Sequence, residues 1–312
     1  MTENSRTSLR ALSSKKLFRL FFQALLAAVS GLILYRLIAA NLTELSQVRL
    51  QVSPGGLLGA FLIYGITAFV SALVWGQMMN SFGKPLPMRT HITIYLATIF
   101  AGRLPGGIWH IVGRVAWYEK YGISKRITAF TSALQIITVV WSGCIVALGT
   151  IPLTAPMSRE NTLIIGVTTL VLFGLINPKT IDFILRRIVR VEIIKTLRYT
   201  QILLWTVVYI FIWVLGGTIL YLIILSLYPA GSTAWFASLG AWSLGGISGT
   251  LITVLPAGLG LTEVTIGLIL AYSIPASIAV VAAIIMRIAL TSFEFILSGT
   301  TYLLTRKSGP QA

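Results

Sequence analysis

Long apolar runs separated by short polar turns dominate this chain. Runs at 17–38, 57–79, 127–148, 162–176, 202–227 and 278–304 read as six membrane-spanning helices, since roughly 20 apolar residues carry a helix across the hydrocarbon core. Two further apolar stretches, 90–118 and 235–273, are interrupted in the middle. The first breaks at Leu104-Pro105-Gly106-Gly107 and the second at Pro256-Ala257-Gly258-Leu259-Gly260. Proline removes a backbone donor and clashes with the preceding turn, so a helix does not run through such a segment undisturbed. Each arm of the first stretch rises only about 20 Å at 1.5 Å per residue, short of the core's thickness. The pattern predicts two re-entrant hairpins, broken at Pro105, Gly106 and Gly107 and at Pro256, Gly258 and Gly260. Irregular backbone at that depth persists only when buried in protein or lining a wet cavity, so the two tips should meet. A single kinked span is the alternative for the first stretch.

Charge decides between them. Lys120, Lys125 and Arg126 follow the first broken stretch at once, and Lys84 and Arg89 precede it. As a hairpin it keeps all five on one side, as the positive-inside bias requires; as a crossing it strands three outside. The second hairpin is entered from the other side, where neither flanking loop carries a basic residue. Six spans and two hairpins then place both termini in the cytoplasm, with Arg306 and Lys307 inside. Broken segments at matching places in two halves are a sequence sign of an inverted repeat around a transport site, although no residue-level identity links the halves. Between them, 178–200 carries Lys179, Arg186, Arg187, Arg190, Lys195 and Arg198, with Ile181, Ile184, Leu185, Ile188, Val191 and Ile194 at helical spacing. It predicts one amphipathic linker helix on the cytoplasmic face, a candidate contact for anionic lipid.

Composition agrees with an all-α polytopic membrane protein forming a single integral domain over 1–312. The chain is 56% hydrophobic and 10% charged, with a mean hydropathy of +0.89, whereas a soluble surface needs about a quarter charged residues. The formal charge of +16 therefore reflects cytoplasmic loops and the basic segment 1–16 rather than nucleic-acid binding. One cysteine, Cys144, excludes an internal disulfide, and two histidines, His91 and His110, make a zinc site a poor expectation. No cofactor is implied. The run from residue 17 lacks a small-residue cleavage site and reads as an anchor rather than a removed leader.

Ionisable groups at membrane depth are costly and tend to be functional. Arg103 precedes the first break. His110 and Arg114 share a face of the returning arm, being four residues apart. The N-terminus of that arm plus two arginines suits an anion, most simply a phosphate; the competing reading pairs the arginines with Glu263 as scaffold. Glu263 follows the second break in the first helical turn, where the helix dipole favours a carboxylate; it is either a helix-start acid or a proton or cation group. Arg287 and Glu294, seven apart on the last span, face the same way and could bridge only loosely; a pair between Arg287 and Glu263 is plausible. The candidate substrate-binding residues are Arg103, His110, Arg114, Glu263 and Arg287. Gly245, Gly246 and Gly249 mark close helix packing.

Taken together, Arg103, Pro105, Gly106, Gly113 and Arg114, the following Tyr-Gly-Ile-Ser loop, and Pro256, Gly258, Gly260, Glu263 and Arg287 resemble the flippase-like transmembrane domain of bacterial lysylphosphatidylglycerol synthases. The resemblance covers almost the whole chain. It implies movement of a lipid or lipid-linked intermediate between leaflets of the cell membrane. It does not imply lysyl transfer, because the family's soluble synthase domain has no counterpart here. Where the family's second motif ends Gly-Val-Arg-Glu, this chain reads Gly-Leu-Thr-Glu. The expected function is translocation of a phospholipid or polyprenyl-phosphate-linked lipid, without enzymatic activity. A membrane-embedded glycosyltransferase, an accessory protein of lipid-linked glycan synthesis, a small-solute or ion transporter and a scaffold are the alternatives. Candidate partners are the lipid substrate, anionic lipid at 178–200, a second copy of the chain, or a separate biosynthetic enzyme.

Overall fold

The computed structural model describes residues 54–104, 107–155, 158–190, 197–251 and 260–308. The expected first span at 17–38, the basic segment 1–16 and the break residues Pro105, Gly106, Pro256 and Gly258 lie outside them. The described chain is helical throughout. In order it forms α1 (Pro54–Phe82), α2 (Met88–Ile99) with a 3-10 turn (Phe100–Arg103), α3 (Trp109–Glu119), α4 (Lys125–Thr150), α5 (Arg159–Leu175), α6 (Pro178–Phe183) with a π turn (Ile184–Val189), α7 (Tyr199–Leu225), α8 (Ser232–Leu251), α9 (Leu261–Leu270) and α10 (Ala276–Ser308). Four of these, α1, α4, α7 and α10, are long and apolar enough to cross a membrane by themselves. This is an all-α polytopic membrane protein.

Both broken stretches fold back on themselves. In the first, His91 near the start of α2 bonds Tyr118 near the end of α3 (Nδ1 to hydroxyl, 2.7 Å), and Gly113 lies against Thr98. These pairings run antiparallel, as a hairpin requires and a kinked span forbids. The same Tyr118 accepts from the Trp75 indole at 2.8 Å, and the other ring nitrogen of His91 meets Asn80 Oδ1 at 2.8 Å. The chain of partners requires the Nε2–H tautomer, with Tyr118 donating to Nδ1. His91 is thus a satisfied core histidine that ties both ends of the hairpin to α1. In the second hairpin, Gly245 of α8 lies against Ile266 and the Thr262 carbonyl of α9, and Ser248 bonds Thr265 at 3.3 Å.

The hairpins enter from opposite ends of the bundle. The end of α1 (Val74, Met78, Phe82) packs with the start of α7 (Ile202, Trp205, Tyr209), whereas Ala60 near the start of α1 packs with Ile219 to Ile224 near the end of α7. The first hairpin hangs from the Phe82 end and the second from the Leu225 end. Each half therefore reads span, hairpin, span, in opposite senses. The halves also exchange contacts. α2 lies on α10, where Ser298 bonds the Ala97 carbonyl at 2.6 Å, and α8 lies on α4, where Gly240 meets Thr150 and Ile151. With Cys144, which is buried, replaced by serine, cysteines at the exposed positions Lys84, Lys120 and Lys125 are expected to react with an impermeant maleimide from one membrane face, and cysteines at Ser232 and Tyr272 from the other. Reaction of position 120 from the same face as position 232 would make the first hairpin an ordinary crossing.

Glycine sets how close the helices come. A Cβ on Gly217 of α7 would stand 2.6 Å from the Leu239 Cα of α8, and one on Gly246 would stand 2.5 Å from the Trp213 ring. Van der Waals contact of this kind, rather than a hydrophobic drive, associates helices in lipid. Because the obstacle at Gly217 is backbone, Gly217→Ala is expected to cost about 1–3 kcal/mol by overpacking. A clear fall in the thermal unfolding midpoint in detergent is the expected result.

The linker differs from its expectation. No single helix covers 178–200. α6 and its π turn end at Arg190, which is left-handed (φ 55°, ψ 50°), and residues 191–196 lie outside the description. The cause is local. Pro178 forces Asn177 into an extended conformation (φ −61°, ψ 134°). A new helix then starts, with Asn177 Oδ1 accepting the Lys179 N–H at 2.9 Å. α5 rises only about 25 Å by its 17 residues, and the segment from Pro178 to Val189 leaves it at an angle of 58°.

Candidate functional site

The two hairpin tips and the face of α10 enclose a cavity of about 370 Å³, lined among others by Tyr95, Arg103, Gly107, His110, Arg114, Gln135, Glu263, Arg287 and Glu294. All five residues singled out as substrate-binding candidates border it. The helix starts explain part of this: α9 begins at Leu261, which places Glu263 in its first turn, and the turn ending at Arg103 closes α2. Gly107 (φ 64°) and Gly260 (φ 84°) hold left-handed backbone at the two tips, a conformation that a side chain disfavours.

Each tip is latched to α10 by an ion pair, and the two pairs have opposite polarity. Arg103 of the first tip grips Glu294 with two parallel bonds, Nε to Oε2 and Nη2 to Oε1, both 2.6 Å. Tyr64 of α1 donates its hydroxyl to the same carboxylate. On the second tip, Glu263 accepts from Arg287 Nη1 at 2.5 Å through Oε1 and from the Gly260 N–H at 2.8 Å through Oε2. Glu263 thus caps the start of α9 and anchors it to α10. Seven residues separate Arg287 from Glu294, two helical turns or about 10 Å along one face. The side chains of Glu263 and Glu294 are 5% and 6% exposed, so these are buried pairs, costly to break from one side.

Arg114 is placed differently. It is 3% exposed, and no carboxylate among the described residues lies within ion-pair distance of it. Its Nη1 donates to Gln135 Oε1 at 2.8 Å and its Nε reaches Thr98 Oγ1 at 3.4 Å. Gln135 is itself fixed, donating to the Tyr209 hydroxyl at 2.8 Å. The guanidinium carbon lies 4.4 Å from the Trp75 ring centroid and 4.3 Å from that of Tyr95. Cation–π attraction of this kind stabilises a desolvated arginine by about 2 kcal/mol without neutralising its charge. One turn earlier on the same helix, His110 Nδ1 is buried and has no hydrogen-bond partner among the described residues.

Arg103 and Arg114 both border the cavity, yet only Arg103 meets a carboxylate, and that carboxylate is Glu294 rather than Glu263. The plausible pair of Arg287 with Glu263 is present. Glu294 is the residue whose role the sequence least revealed. Its spacing from Arg287 was visible, but each reaches outward to a different hairpin instead of to the other. Gln135, a lone amide in an apolar run, was the available sign of a buried hydrogen bond. Trp75 and Tyr95 gave none, being two aromatics among many. Among the described residues no group of three or more His, Cys, Asp or Glu side chains comes together as a metal site would require.

The chain matches no known family model, and no curated protein matches it.

Proposed function

We propose that this protein is a lipid translocator. In this reading the head group of a phospholipid or polyprenyl-phosphate-linked lipid crosses the membrane through the cavity between the hairpin tips, while its tails stay in lipid. One observation carries the reading: Arg114, a buried cation without a carboxylate partner among the described residues, borders the cavity where the two hairpins meet. A pre-formed cavity of this size, walled by apolar groups with a few converging polar ones, is how ligand sites are generally built. Its resting charge invites an anion. The likeness to the flippase-like domain of lysylphosphatidylglycerol synthases rests on the same residues and supports the same reading. No catalytic chemistry is proposed, because both carboxylates of the cavity are held by arginine. Reconstitution into vesicles with a fluorescent lipid, followed by quenching from one side, tests the proposal. Exchange above that of protein-free vesicles supports it, and exchange equal to theirs overturns it.

We also propose the cell membrane as its location, with the Phe82 end of the bundle cytoplasmic. Lys84, Lys120, Lys125, Arg126, Lys179, Arg186, Arg187 and Arg190 all belong to that end, the positive-inside pattern. There Arg126, Arg187 and Arg190 surround a groove floored by Ala129, Phe130 and Ile188, and Ile188 is 68% exposed. Basic groups beside exposed apolar ones suit an anionic lipid surface, each contributing about 1 kcal/mol near the membrane. Exchanging the three arginines for glutamine is expected to reduce co-purified anionic phospholipid; unchanged lipid content would reject the contact.

A further inference from the structure

We infer that the cavity selects a head group bearing a single net negative charge on a phosphodiester, and that Arg114 is the residue that reads it. The inference rests on the translocator reading and narrows its substrate class.

The charge count of the cavity is the starting point. Among the described residues lining it are three arginines, Arg103, Arg114 and Arg287, and two carboxylates, Glu263 and Glu294. Two ion pairs consume two of each sign. One positive charge is left, on a side chain that stays protonated at any physiological pH. A single negative charge brought into the cavity cancels it.

Other common head groups fit worse. A zwitterionic head brings no net charge, so the surplus survives, and its ammonium must find a carboxylate that an arginine already holds. A diphosphate brings at least one negative charge too many. Neutralising that charge would need Arg103 or Arg287 to leave Glu294 or Glu263, which would release a hairpin tip from α10.

The donors are set for one small oxyanion. The bonds to Gln135 and Thr98 use two of the five N–H groups of the guanidinium, leaving donors over for an incoming oxygen. Trp75 and Tyr95 on the guanidinium and Tyr209 behind Gln135 keep that fork from turning away. The cavity of about 370 Å³ has room for a phosphodiester head group, and it falls in the size range of small-molecule sites.

The test compares heads on identical tails. Vesicles holding the protein receive trace labelled diacylglycerol lipids with a phosphoglycerol, a phosphocholine or a diphosphate head, and a parallel set receives radiolabelled inorganic phosphate outside. The phosphoglycerol lipid is expected to exchange at least tenfold faster than the other two. Arg114→Gln should erase that difference, and Arg114→Lys, which keeps the charge but not the fork, should keep the order at a lower rate. The wild-type comparison among heads stands even if Arg114→Gln does not fold. Equal exchange of all three lipids, or a preference unchanged in a folded Arg114→Gln, overturns the inference and leaves the translocator reading intact. If no lipid exchanges, retention of the three lipids by the purified protein decides. Preferential retention of the phosphoglycerol lipid, lost in Arg114→Gln, upholds the charge selection while the translocator reading falls, and equal retention overturns the selection too. Uptake of inorganic phosphate without movement of any lipid overturns both.

Discussion

Arg114→Ala is expected to slow lipid exchange by at least about tenfold while changing stability little. A hydrogen bond to a charged group contributes about 1.5–3 kcal/mol, and 1.4 kcal/mol on a barrier is already a factor of ten in rate. Removing the only uncompensated cation among the described cavity residues deletes one or two such bonds to an entering phosphate. The stability terms oppose each other. The variant leaves Gln135 Oε1 without its donor, costing about 1–3 kcal/mol, and loses the ring contacts of Trp75 and Tyr95. It also relieves the protein of a buried, unneutralised charge, a penalty of several kcal/mol. Exchange rate and thermal midpoint should therefore separate. A variant that exchanges lipid as fast as the wild type would remove Arg114 from the site.

The latch between Arg103 and Glu294 should behave in the opposite way. Arg103→Ala leaves Glu294 almost fully buried with only Tyr64 beside it, and breaking a buried pair from one side costs about 3–5 kcal/mol. The thermal unfolding midpoint in detergent should fall steeply. Replacing both partners by apolar residues, Arg103→Met with Glu294→Leu, should recover most of the loss, because no orphaned charge remains. An unchanged midpoint in Arg103→Ala would mean that the pair does not hold the tip. The contrast between the two arginines separates a group that holds the architecture from one that awaits a ligand.

Much of this was legible in the chain. Hydrophobic run length located α1, α4, α7 and α10 to within a few residues, and the break from Pro105 to Gly107 together with the basic loop after it pointed to the first hairpin. Run length works because a bilayer admits little except helices. Partner choice inside the cavity was less legible. Which carboxylate an arginine meets depends on how far each hairpin reaches and where α10 stands beside it, and a one-dimensional spacing of seven residues between Arg287 and Glu294 carries neither distance. The linker shows a different limit. Apolar periodicity over 178–200 favoured one helix, but Asn177 and Pro178 set where it began, and Arg190 in a left-handed conformation set where it stopped. Local backbone rules overrode the longer pattern.

Both tips being fastened to one side of α10 has a mechanical corollary. With an acid gripping the upper clasp and a base the lower, about two turns apart, a rigid slide or tilt of that single rod strains both clasps in the same stroke. The two hairpin tips are thereby geared to a common axle rather than hung on separate hinges.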